Sequence, residues 1–138
     1  MNIVKVENNN KQMYHLDCIV YPLYSNVVLA VTSQLSKKNI RDIEKFADIV
    51  DIPYDVGKDG GITNCVGLNR MVMCGSSIND LKVTDDDYEY ERKKIDFLSK
   101  VCANHSLEPF FFNLSEYRKS GAELSCMFMH LNYTRMSE

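Results

Sequence analysis

Thr63-Asn64-Cys65-Val66-Gly67-Leu68-Asn69-Arg70-Met71-Val72-Met73-Cys74-Gly75 is the stretch on which the fold turns. Two short apolar runs, Thr63 to Leu68 and Met71 to Gly75, meet around Leu68-Asn69-Arg70, and this pattern predicts a β-hairpin. Downstream, Ser76 to Asp87 reads as a polar loop. Ile95, Leu98, Val101 and Cys102 then recur at three- and four-residue steps, which predicts a helix over about Asp86 to Asn104. Pro109 to Leu114 follows as a short aromatic strand. The order is strand, strand, helix, strand.

Upstream the same order occurs once more. Leu16 to Pro22 and Val27 to Thr32 are apolar runs joined by Leu23-Tyr24-Ser25-Asn26, a second hairpin. Ser36 reads as a helix N-cap. Behind it Ile40, Ile43, Phe46 and Ala47 form a helical stripe. Asp48 to Tyr54 is β-prone, and Gly57 to Gly61 reads as a loop. The two units begin near His15 and Asn64, a period of about 50 residues, which suggests blades around an axis or an array. A third unit is expected after a short helical turn at Ser115 to Lys119, with Cys126 to Tyr133 as its first strand. The expected organisation is one partial α/β domain over 1–138. It has a polar segment over 1–13, units over 14–56 and 62–114, and an incomplete unit over 115–138. Ile3-Val4-Lys5-Val6, inside the polar segment, is expected as an edge strand.

With 138 residues, 45% of them hydrophobic and 25% charged, the chain has an ordinary globular composition. A net charge of -3 without a basic stripe argues against nucleic acid as the main partner. No apolar run reaches the roughly 18 residues of a membrane span. Five cysteines, at positions 18, 65, 74, 102 and 126, make an odd count without a CxxC pair. That argues against a zinc ribbon and for free thiols in a reducing, cytoplasmic compartment. Most of these cysteines read as small buried hydrophobes.

Cys126 is the exception. Ser120-Gly121-Ala122-Glu123-Leu124-Ser125 delivers it from a small-residue turn to the mouth of an apolar run. A thiolate on a rigid element is a nucleophile when an imidazole can hold it or take its proton. Tyr14-His15-Leu16-Asp17-Cys18 places a histidine and a carboxylate at the mouth of another run. His15, Asn64 and Cys126 thus occupy equivalent entry positions in three successive units. In a strand, His15 and Asp17 point to one face. A carboxylate opposes an acyl oxyanion but grips a cationic guanidinium bidentately, so the set favours guanidine chemistry over amide hydrolysis. No ligand spacing supports a metal site, and no cofactor is expected.

Simpler roles compete at each position. His15 and Asp17 could form an ordinary surface pair, and Asn64 could satisfy the Gly60-Gly61 turn. His105 closes the long helix as a cap. His130 is a rival base, but roughly 13 Å from Cys126 along an extended strand. Asp85-Asp86-Asp87 caps the helix start. Tyr54, Phe110, Phe111 and Phe112 are expected in the core.

Tyr14-His15-Leu16-Asp17 resembles the catalytic His-x-Asp segment of the guanidino-group modifying enzymes: the arginine deiminases, amidinotransferases and dimethylarginine dimethylaminohydrolases. Phe112-Asn113-Leu114-Ser115-Glu116-Tyr117-Arg118-Lys119-Ser120-Gly121-Ala122-Glu123-Leu124-Ser125-Cys126 resembles the segment leading to their nucleophilic cysteine. Thr63-Asn64-Cys65-Val66-Gly67-Leu68 resembles the intervening strand that carries an asparagine. The resemblance covers about His15 to Tyr133. It implies a pentein-type αβ propeller, here partial, with about two and a half strand-strand-helix-strand blades. It further implies that Cys126 attacks the guanidinium carbon to give a thiouronium intermediate. His15 would protonate the leaving amine and then activate water. Asp17 would bind guanidinium nitrogens, with Asn64 as a further substrate-binding residue. Members of this family are about twice as long as this chain, and Gly121-Ala122 stands where they carry a glycine pair. The implied partners are a guanidino small molecule and either a second copy or another chain that completes the ring. An amidinotransferase and a non-catalytic binding module on the same fold are the alternatives.

Overall fold

The computed structural model describes residues 5–8, 13, 15–24, 26–59 and 61–128. They form two compact units that meet in the sequence at Thr63 and Asn64.

In the first unit a 3-10 turn, Leu16–Cys18, leads into β1 (Val20–Tyr24) and β2 (Val27–Ala30). A second 3-10 turn, Thr32–Gln34, precedes α1 (Lys37–Glu44), and β3 (Asp48–Asp51) and the short α2 (Tyr54–Gly57) follow. The sheet order is β1-β2-β3, with β1 antiparallel to β2 and β3 parallel to β2. Its apolar interior includes Tyr21, Leu23, Val27 and Leu29, all buried. The pairing of Tyr21 with Leu29 puts these on one face. Ser36 caps α1 as expected, its hydroxyl accepting from the Asn39 amide at 3.1 Å. The helical stripe is shorter than the sequence suggests: Ile43 is buried, whereas Phe46 lies past the helix end and is 49% exposed. Asn39 is buried because its amide nitrogen donates to the Glu7 carbonyl at 2.8 Å, tying the segment before β1 to α1. Lys5 and Val6 carry no strand, so the expected edge strand is absent over these two; Ile3 and Val4 lie outside the described residues.

The second unit repeats the order. β4 (Val66–Leu68) and β5 (Met71–Ser76) form the predicted hairpin, with Asn69 at φ 53°, a left-handed conformation that asparagine tolerates. The loop after β5 holds a 3-10 turn, Ile78–Asp80. α3 runs over Asp86–Asn104 as the stripe predicted, and β6 (Glu108–Asn113) returns parallel to β5. The sheet order is β4-β5-β6. The same pattern of one antiparallel and one parallel pairing in both units is the structural form of the sequence repeat. A parallel return needs a crossover, and the helix supplies it. α4 (Ser115–Arg118) and a 3-10 turn, Leu124–Met127, close the described chain.

Alternation along β5 divides the second sheet. Val72, Cys74 and Ser76 face α3, where Leu98, Val101 and Cys102 are buried. Met71, Met73 and Gly75 face the other way, together with Val66, Leu68, Phe110 and Phe112 by register. The aromatics are therefore not the core that their composition suggests: Tyr54, Phe110 and Phe112 are 48%, 42% and 44% exposed, and Phe111 is half-buried. For Phe110 and Phe112 the period of a strand explains it, because one of every two residues must leave the helix-covered face, whereas Tyr54 opens the short α2.

Candidate functional site

Cys126 lies in the 3-10 turn Leu124–Met127 rather than at the head of a strand. Its amide donates to the Glu123 carbonyl at 3.1 Å, and the residue is exposed. In a strand Leu124 and Cys126 would share a face. Here Leu124 is buried against Val66 and Leu114 while Met127 and Phe128 stay exposed, so burying one leucine sets the turn. The remainder of the expected strand, from Met129 to Tyr133, and the rival base His130 lie outside the described residues.

Three consecutive residues hold this turn from below. Glu123 receives the Arg118 Nε–H at 2.7 Å. Leu124 fills the apolar cluster with Val66 and Leu114. Ser125 donates its hydroxyl proton to Asn64 Oδ1. The turn sits close on β5: a Cβ added at Gly75 would fall 2.8 Å from Leu114 Cδ1 and 3.3 Å from Glu123 Oε2. Gly121, at φ +79°, lets the chain reverse between α4 and the turn. Asn64, 3% exposed, thus meets the residue beside Cys126.

His15 and Asp17 belong to the first unit. The 3-10 turn begins at His15, whose carbonyl accepts the Cys18 amide at 3.2 Å, and Asp17 is its second residue. Both are exposed. Contrary to the expectation from the sequence, strand geometry does not put them on one face, because sheet pairing begins only at Val20 opposite Ala30.

The five cysteines, all among the described residues, form no disulfide. A hydrogen bond to Cys74, then burial, pushes the Cys65 thiol well up, and burial pushes Cys102 to about 11. Both stay protonated near neutral pH and are poor nucleophiles. Cys126 is the exposed thiol of the second unit.

The sequence reading missed the ionic group beneath the turn. Glu91 and Lys94 on α3 are 1% and 0% exposed. Lys94 Nζ and Arg118 Nη1 each lie 2.9 Å from Glu91 Oε1, and the Ser76 hydroxyl donates to Glu91 Oε2 at 2.9 Å. Burial opposes the charge on Glu91, but Lys94, Ser76 and Arg118 outweigh it and hold the carboxyl below its usual range. A signal existed: 91, 94, 98 and 101 continue the helical stripe at three- and four-residue steps, so both charges fall on the buried face. His105 does end α3 as its cap, and Asp86 and Asp87 sit in the first turn. The Asp85 carboxylate accepts instead from the Lys82 amide, at 2.9 Å. Among the described residues no group of three or more His, Cys, Asp or Glu side chains is placed to hold a metal, and no helix is long and apolar enough to cross a membrane.

Neither a protein-family model nor a curated protein sequence matches the chain. Two solved structures share its fold. One is the ternary complex of AgrE with ornithine and NAD+, at TM-score 0.71 and 18% identity over 96% of this chain. The other is apo ArgZ, an arginine dihydrolase from the ornithine–ammonia cycle in cyanobacteria, at TM-score 0.65 and 17% identity over 89% of this chain. The chain spans 17% of the length of each. The mixed α/β fold with small three-stranded sheets is thus of the kind found in these two structures.

Proposed function

We propose that this chain is part of a guanidino-modifying hydrolase acting on an arginine-like or methylarginine-like substrate. The observation that carries the reading is Cys126 itself: an exposed thiol on a short turn whose three preceding residues are all anchored. Held this way, a thiol can meet a bound carbon without ordering a loop first. The likeness to an arginine dihydrolase supports the choice of substrate class.

In this reading the Cys126 thiolate attacks the guanidinium carbon and forms a C–S bond. The C–N bond breaks, and His15 gives its proton to the departing amine. His15 then takes a proton from water, the hydroxide adds to the thiouronium carbon, and the C–S bond breaks to release a ureido product. Asp17 balances the guanidinium charge, Asn64 contributes to substrate binding, and the longer parent or a second chain completes the pocket. An amidinotransferase would differ only in the acceptor that replaces water.

The test is arginine turnover, read as citrulline and ammonia, alone and with a supplied N-terminal half. The wild type is expected to turn over and Cys126→Ala to be inactive. No product in either setting would sink the enzyme reading. One observation favours a second reading, a binding module: Phe110 and Phe112, two residues apart on β6, are exposed on one face of the second sheet. A stoichiometric complex that survives Cys126→Ala, with no turnover, would favour it.

A further inference from the structure

Arg118 links two features that lie on opposite faces of the second sheet. Ser76, whose hydroxyl bonds Glu91, alternates with Gly75, over which Glu123 sits, so the two point to opposite sides. Arg118 reaches both: Nη1 is 2.9 Å from Glu91 Oε1, and Nε is 2.7 Å from Glu123 Oε1. Glu91 cannot give way. It is buried, and it is fixed by Lys94 at 2.9 Å, by the Ser76 hydroxyl at 2.9 Å and by the Ser77 amide at 3.3 Å. The planar guanidinium presents its donors in a fixed fork, so fixing one bond fixes the direction of the other. Glu123 in turn provides the carbonyl that receives the Cys126 amide.

We propose that Arg118 is a positioning residue for Cys126: it carries the rigidity of the buried Glu91–Lys94 pair through Glu123 into the turn that presents the thiol. The consequence for turnover rests on the reading of Cys126 as the nucleophile; the tether itself does not. A buried ion pair is a weak source of stability, and fixing one arrangement is its better-supported use. Lysine would hold one carboxylate but lacks the fork, so Arg118→Lys should keep only part of the effect.

Arg118→Met keeps the stem and removes both ion pairs. Hydrogen exchange at the Cys126 amide is expected to rise about tenfold or more, while amides from Leu98 to Cys102 in α3 stay protected. Arg118→Lys should recover part of the protection. With arginine as probe substrate, kcat is expected to fall about tenfold with KM little changed, because the thiol is misplaced and binding is not. Should Arg118→Met not fold, Glu123→Gln takes its place in the same measurements. Unchanged exchange at Cys126, or an equal rise across α3, would overturn the proposal. If the wild type does not turn over arginine, the functional reading fails by itself, and the exchange data still decide the tether.

Discussion

At the residue scale, Cys126 stands apart from the other thiols of its unit by exposure, and that difference is set by neighbours. Cys65, Cys74 and Cys102 are all buried; at Cys65 a hydrogen bond to Cys74 and then burial disfavour the thiolate, and at Cys102 burial does. The residues around Cys126 are held by side chains that composition does not single out. Asn64 is the clearest of these. Its buried Oδ1 takes the Ser125 proton, so truncation leaves a hydroxyl short of its partner and a small void. Asn64→Ala is expected to cost about 1–3 kcal/mol in urea unfolding. A loss within experimental error would show that the Ser125 contact carries little.

At the scale of the element, α3 shows how far pattern reading reaches. Its apolar stripe placed the helix and its buried residues Leu98, Val101 and Cys102. The same stripe carries Glu91 and Lys94, and periodicity read only for apolar residues passes over them. Their burial makes sense only once Ser76 and Arg118 are seen to bond Glu91. The end of α3 is also unusual. Ser106 adopts φ 56°, and the Leu107 amide returns to the Cys102 carbonyl at 2.8 Å. Glycine is the usual residue at such a left-handed stop, because a side chain is strained there. Ser106→Gly is therefore expected to raise stability by up to about 1 kcal/mol, read as a higher thermal midpoint. The Arg70 contact to Ser106 uses the backbone carbonyl and survives the change.

At the scale of the whole molecule, the buried ionic group sets a pH dependence. The folded Glu91 carboxyl is held below the ordinary glutamate value of about 4.3, so below that value the unfolded chain binds more protons than the folded one. The stabilisation is complete above about pH 4.3 and drains away as pH falls through the lower folded value. Asp42, Asp80 and Glu89 are also lowered, but they are in contact with solvent, which screens their share. Glu91→Gln should melt lower than wild type at pH 7, since Lys94 loses its counter-charge, yet lose less on going from about pH 5 to pH 3. Thermal melts across that range check both slopes. Parallel slopes would mean that Glu91 is not the group responsible.

Local sequence was enough for the repeated strand-strand-helix-strand order, the span of α3, the Ser36 cap and the two hairpins. These follow from local periodicity and capping, which short stretches of chain carry within themselves. It also singled out Cys126 by its surroundings, and Asn64 by an equivalent position. Long-range contacts were needed to set which face of β6 stays exposed, that 3-10 turns rather than strands carry His15, Asp17 and Cys126, and that Glu91, Lys94 and Arg118 stand behind the cysteine turn. Each depends on partners distant in sequence: a strand needs a neighbour to pair with, and a buried charge needs a counter-charge to be tolerated. Neither can be read from a window of local sequence.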